Sequence, residues 1–212
     1  MDYSAISPKE AVEVQNELRK RVIKKKTFDE VEIVAGVDVS VKNNVSRAAV
    51  ITFTFPGLEL KEEALEEQEV TFPYVPGLLA FRELPVILEA FKKLISPPDL
   101  LMVDGQGYSH PRRFGLACHL GVTLDIPAIG CAKSRLVGEH AMPGEKRGAM
   151  ARLKDKDEVI GAVVRTRENV KPVYVSAGHR IDLDTAIDFT LRLATKYRLP
   201  DPIRAAHNLA KL

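Results

Sequence analysis

At 212 residues, 45% hydrophobic and 28% charged, the chain has the make-up of a globular protein with room for a sizeable core in one domain spanning 1–212. No stretch approaches the roughly 20 apolar residues of a membrane span, and the N-terminal MDYSAISPKE lacks a signal peptide's apolar core, so neither a membrane partner nor export is expected. A net charge of +2 identifies no polyanion partner by itself, and two cysteines without CxxC spacing, Cys118 and Cys131, lead to the expectation of a reducing cytoplasm.

Ser7-Pro8-Lys9-Glu10 has the form of a helix start, with Ser7 as N-cap, Pro8 in the first turn and Glu10 closing a capping box. Val12, Val14, Leu18 and Val22 give that helix an apolar stripe, and its end is basic (Arg19, Lys20, Arg21, Lys24, Lys25, Lys26). Residues 31–41, VEIVAGVDVSV, read as a strand with Asp38 on the same face as Val34 and Gly36. An aspartate among β-branched residues opposes β propensity, which marks either a functional site or an edge strand facing water. A second strand over 47–55 turns at Pro56-Gly57 into 59–69, which carries six glutamates against one lysine. Short connections make these three strands an antiparallel meander, its acidic member turned away from any polyanion.

Thr71-Phe72-Pro73-Tyr74-Val75-Pro76-Gly77 is a stiff loop that presents Tyr74, either to a nucleic-acid base or to the protein beneath it. A helix is expected over 78–95, kinked or split at Pro85, with Arg82 and Glu83 in its first turns. The apolar run 100–103 suits a strand buried on both faces, and it stops at Asp104, followed by Gly105, Gln106 and Gly107. Ligands bind at such strand ends in open α/β sheets, although Asp104 also fits a helix-capping turn. A helix over 112–122 and a strand over 127–131 follow, then Lys133, which reaches a phosphate if the two strands are parallel neighbours and otherwise faces solvent. Residues 136–153 read as a basic, glycine-containing loop, and 159–166 with 172–176 as a hairpin. Asp182 caps a helix running to about Tyr197, and Asp201-Pro202 starts a last helix containing His207. Arg112, Arg113, Lys133, Arg135, Lys146, Arg147, Arg152 and Lys154 supply the local positive charge that phosphate binding needs.

This order fits an α/β fold whose mixed sheet joins an antiparallel meander to parallel strands, flanked by helices. If the first and fourth strands are neighbours, Asp38 and Asp104 meet mid-sheet. Oxygen ligands of this kind suit Mg²⁺ or Mn²⁺ and the metal-assisted hydrolysis of a phosphodiester. A zinc site from Cys118, His119 and Cys131 is not expected, because neighbours on a helix diverge and no fourth ligand is spaced to close it.

Four segments, VAGVDVS (34–40), TFPYVPGLLAFRE (71–83), VDGQGYSHPRRFGLACHLG (103–121) and IGCAKSRL (129–136), resemble the motifs of endonuclease V, and the similarity runs over nearly the whole chain. The resemblance implies an RNase H-like fold and a repair nuclease for deoxyinosine. It implies Asp38 and Asp104 as principal ligands of Mg²⁺, with Mn²⁺ as substitute, Glu83 and His207 completing the shell, and Lys133 at the scissile phosphate. Pro73, Tyr74, Val75 and Pro76 become the wedge between strands, with Arg82 a nearby DNA contact. Leu79, Gly105, Gln106, Gly107, Gly130 and Leu136 line the pocket for a flipped hypoxanthine, and His110 supports the backbone contacts. A monomer acting on deoxyinosine DNA is expected, cutting the second phosphodiester bond 3′ to the lesion to leave 3′-hydroxyl and 5′-phosphate. The alternatives are an inosine-specific endoribonuclease and a nucleic-acid-binding module without nuclease activity.

Overall fold

The computed structural model describes residues 6–211. The expectation that the N-terminus is no export signal rests partly on residues 1–5, which lie outside them. Helix α1 (Pro8–Leu18) begins as expected: the Ser7 hydroxyl accepts from the Glu10 backbone N–H, and the Glu10 carboxylate accepts from the Ser7 N–H at 2.9 Å. Its buried face is Ala11, Gln15 and Leu18, so of the expected stripe within the helix only Leu18 is buried, and Val12 and Val14 are partly buried.

β1 (Ile33–Lys42), β2 (Val45–Thr54) and β3 (Leu60–Glu69) form the antiparallel meander. Asn43 and Asn44, both left-handed, make the tight turn between the first two, a conformation that asparagine tolerates well. β4 (Leu100–Val103) runs parallel to β1, and β5 (Ala128–Ala132) parallel to β4. β8 (Val173–His179), β7 (Glu158–Val164) and β6 (Met150–Asp155) extend the sheet antiparallel, giving the order β3-β2-β1-β4-β5-β8-β7-β6.

Alternation along the central strands divides the core in two. Ala35, Val37, Leu101 and Val103 pack under α2 (Leu79–Phe91) and α3 (Leu116–Leu124). Val34, Leu100, Met102 and Ile129 pack under α4 (Leu183–Leu193) and α5 (Asp201–Ala210). Helices therefore cover both faces, as an RNase H-like mixed sheet requires, and no helix among the described residues is long and apolar enough to cross a membrane.

Four expectations are corrected. The loop expected over 136–153 ends in a strand, β6, whose tight partner is β7. Only Leu153 of that strand is buried, so its apolar periodicity is too weak to read, and its exposed lysine and arginine suit a sheet edge. β7 and β8 pair antiparallel as the expected hairpin, joined across residues 165–172. Pro85 lies inside one continuous helix, which stops at Phe91 instead of 95. α3 starts at Leu116, after an extended Gly115, and α4 ends at Leu193, where Arg147 takes the carbonyls of Leu191 and Ala194.

Candidate active site at the ends of the central strands

Val37 is level with Val103, and the Asp104 N–H donates to the Val37 carbonyl at 2.9 Å. The next residue of each strand is an aspartate, so Asp38 and Asp104 emerge side by side where β1 and β4 part. Asp38 keeps to the face of Val34 and Gly36. A Cβ on Gly36 would lie 2.0 Å from the Pro202 carbonyl oxygen, so the first turn of α5 rests directly on that glycine's backbone. Further along α5, His207 reaches Asp38, its Nδ1 2.7 Å from Oδ2. Asp38, Asp104 and His207 each offer a ligand atom within 4.8 Å of the others.

Lys133, just beyond β5, places Nζ 2.5 Å from the Asp104 carboxylate. Glu83 enters from α2 and is buried, which pushes its carboxyl up to about 8, with the charges of Asp38 and Asp104 adding to the rise. Burial and then the Asp104 charge also raise Asp38, while His207 and Lys133 oppose the rise. Three carboxyls crowd a site that disfavours their joint ionisation, and a hard divalent cation relieves that field. The donor set of two carboxylates and an imidazole, with a third carboxyl near, fits such an ion.

A cleft of about 150 Å³ starts at Asp104 itself. It is lined by Tyr74, Val75 and Pro76 of the stiff loop, by Leu79 and Ala80 at the start of α2, by Gly105, Gln106, His110 and Leu116 after β4, and by Leu136. Tyr74 is 70% exposed, so the loop presents the ring instead of packing it beneath. Two wider hollows, one beside Phe28, Phe55 and Arg192 and one along β6, contain none of these carboxylates.

Pro73 is exposed at the outer end of the loop, and Arg82 is half-buried next to Glu83. Gly107 and Gly130 lie under the cleft instead of lining it. A Cβ on Gly130 would lie 2.3 Å from the Gly107 nitrogen, and the Gly107 N–H donates to Ser176 Oγ at 2.9 Å. Arg112 and Arg113 are not part of a free positive face. Arg113 is spent on Glu158 (2.7 Å), Asp155 (2.8 Å) and the His110 carbonyl, and Arg112 on Gln15 and the Gly77 carbonyl. His119 packs its ring against Phe81 and Phe114, in the core and away from any zinc site. Three residues at the site went unread in the sequence. Gln15 lines the cleft, Ser176 anchors Gly107, and Arg198 holds the Lys133 carbonyl at 2.7 Å.

Comparison with known proteins agrees with this fold. The family model for Endonuclease V matches residues 16–208. An Endonuclease V of Rippkaea orientalis is 50% identical over 206 residues, 96% of this chain and 90% of that protein. The crystal structure of Endonuclease V from Streptomyces avermitilis superposes with a TM-score of 0.92 at 45% identity, covering 96% of this chain and 91% of that one. Endonuclease V of Ciona intestinalis, in complex with a 23mer DNA containing an inosine followed by a ribo-adenosine, superposes at 0.84 with 28% identity over 97% of each chain. The matched region contains Asp38, Glu83, Asp104, Lys133 and His207 and the cleft beside them, and this chain belongs to the endonuclease V family.

Proposed function

We propose that this protein is a DNA-repair endonuclease that recognises deoxyinosine and hydrolyses the second phosphodiester bond 3′ to it, leaving 3′-hydroxyl and 5′-phosphate. One observation carries the reading: the Asp38–Asp104–His207 cluster and a narrow, apolar-rimmed cleft share Asp104, so a cutting centre and a base-sized pocket are rigidly linked. Cutting at a fixed distance from a flipped base requires that link.

Asp38 and Asp104 would hold Mg²⁺, with Mn²⁺ as substitute, and Glu83 and His207 would complete the shell. The bound ion supplies an activated water and charge neutralisation at the phosphate. Lys133 is placed to orient the water or pair with the scissile phosphate, and His207 fixes the Asp38 carboxylate. Deamination weakens base pairing, so the lesion costs less to extrude than a normal base. Tyr74, at the rim, wedges into the gap between strands, and backbone N–H groups at 105–107 read the hypoxanthine edge. The protein works as a monomeric single domain in a reducing cytoplasm, where Cys118 and Cys131, both buried, stay free.

The ribo-adenosine in the Ciona complex favours a second reading, cleavage of inosine-containing RNA, and one assay separates the two. Matched labelled strands with one deoxyinosine or one inosine are incubated with Mg²⁺ or with EDTA, beside Asp104→Ala. The expected result is a single Mg²⁺-dependent nick one bond beyond the lesion's 3′ neighbour in DNA, lost in Asp104→Ala while lesion binding persists. Cutting of the RNA strand alone would establish the ribonuclease, binding without cutting under either metal would establish a non-catalytic reader, and an active Asp104→Ala would overturn the metal assignment.

A further inference from the structure

Tyr74 makes no hydrogen bond or ring contact among the described residues, so its position over the cleft is inherited from the loop backbone. That backbone is pinned at one atom. The Gly77 carbonyl oxygen lies 3.0 Å from Gln15 Nε2, 2.6 Å from Arg112 Nη2 and 3.1 Å from His110 Nε2. Gln15, on α1, is fully buried; its Nε2 also donates to the Phe114 carbonyl at 3.2 Å, and its Oε1 accepts from Arg112 Nε. The His110 Nδ1 accepts from the Arg112 backbone N–H at 3.2 Å, which puts the imidazole hydrogen on Nε2, so His110 is a third donor to Gly77.

A carbonyl has two lone pairs, and three donors converging on it leave little freedom of orientation. Gly77 fits this demand for two reasons. Its φ is +79°, a conformation other residues resist, and a Cβ there would stand 2.7 Å from Arg112 Nη2. The Leu78 N–H donates to the Val75 carbonyl at 2.9 Å, closing the turn, so the pinned carbonyl sits between the Tyr74 loop and the start of α2.

We propose that Gln15, with Arg112, is a positioning residue for lesion recognition, acting on Tyr74 through the Gly77 carbonyl. This rests on the deoxyinosine reading above. The clamp fixes the loop before DNA arrives, so binding orders less backbone and the ring meets the helix in one pose.

The test is a double-mutant cycle on the full chain. Gln15→Met keeps the volume and removes the donors; it is measured in wild-type and Tyr74→Ala backgrounds. The readout is the ratio of Kd for a duplex without the lesion to Kd for the same duplex with one deoxyinosine, in EDTA. Gln15→Met should lower the ratio by about tenfold in the wild-type background, the size of one lost hydrogen bond, and by less than about twofold in Tyr74→Ala. A loss of equal size in both backgrounds, as a general weakening of the fold produces, overturns the proposal, and so does an unchanged ratio. If Gln15→Met does not fold, Arg112→Lys at the half-buried position carries the same cycle.

Mg²⁺-dependent nicking by the wild type is run alongside. Nicking with an unaffected Gln15→Met ratio overturns the clamp alone. Selective binding without nicking overturns the endonuclease reading and leaves the clamp to be decided by the ratios. A wild type that does not distinguish the lesion overturns both.

Discussion

Gly36→Ala should damage the site from a distance. An alanine Cβ would lie 2.0 Å from the Pro202 carbonyl oxygen and 2.2 Å from its carbon, where ordinary contact begins at 3.4 Å, so α5 must retreat by about 1.4 Å. The obstacle is backbone on both sides, so no rotamer change relieves it. His207 rides on the same helix, and such a shift carries its Nδ1 from 2.7 Å beyond hydrogen-bond reach of Asp38. Overpacking of this kind costs about 1–3 kcal/mol, which in a chain of this size lowers Tm by roughly 2–12 °C. Misplacement by about an ångström at a reacting centre costs on the order of 10²-fold in rate. The assay pairs thermal unfolding with single-turnover nicking of a deoxyinosine duplex at saturating enzyme. Gly144→Ala, away from the site, is the control, since its Cβ would find its nearest neighbour at 3.6 Å. A Gly36→Ala protein with wild-type Tm and rate would refute the seating of α5 on that glycine.

The buried Glu83 carboxyl, raised to about 8, sets a pH dependence. The unfolded chain releases this proton near its ordinary value of 4.5 and the folded chain holds it to about 8, so the metal-free protein loses stability as pH rises through that window. Unfolding in EDTA should show the loss, on the order of a few kcal/mol, flattened in Glu83→Gln; a mutant with the same slope would refute the assignment. Tyr74→Ala should weaken lesion discrimination by roughly tenfold, the scale of one base–aromatic stack, with a smaller effect on single-turnover rate. Unchanged Kd ratios would return Tyr74 to a packing role.

Much of the carboxylate cluster was legible because its logic is local. Alternation put Asp38 on the face of Val34 and Gly36, and the apolar run ending at Asp104 marked a strand terminus. The pairings of β1 with β4 and of β4 with β5 were conditional, and both are realised. The contacts of His207 could not be read, because they depend on Gly36 meeting Pro202, a backbone approach between residues far apart in the chain. The basic residues misled for a different reason. A sequence does not show whether a charge is spent internally, and Arg112 and Arg113 are. β6 was lost because an edge strand with one buried side chain has almost no pattern. Gln15 went unread because the apolar stripe of α1 drew attention to Val12 and Val14, whereas the buried face runs through Ala11, Gln15 and Leu18.

The two halves of the site hang on different supports. α5, seated on Gly36, carries the His207 contact with Asp38, while α1, through Gln15 and Gly77, carries the Tyr74 loop. They meet in the short segment after β4, where Asp104 belongs to the cluster and Gly105 and Gln106 to the cleft. That segment is held from below: Gly107 hydrogen-bonds Ser176, and Gly130 leaves room for its backbone, with 2.3 Å between a would-be Cβ and the Gly107 nitrogen. Damage to a single support should therefore separate the functions. Gly36→Ala should chiefly cost rate at saturating enzyme, and Gln15→Met chiefly the Kd ratio. Gly130→Ala, which pushes on the shared segment, should cost both, by about tenfold or more each on the scale of a displaced ångström. A Gly130→Ala enzyme that loses only one of the two would show that the cluster and the cleft do not move together through Asp104.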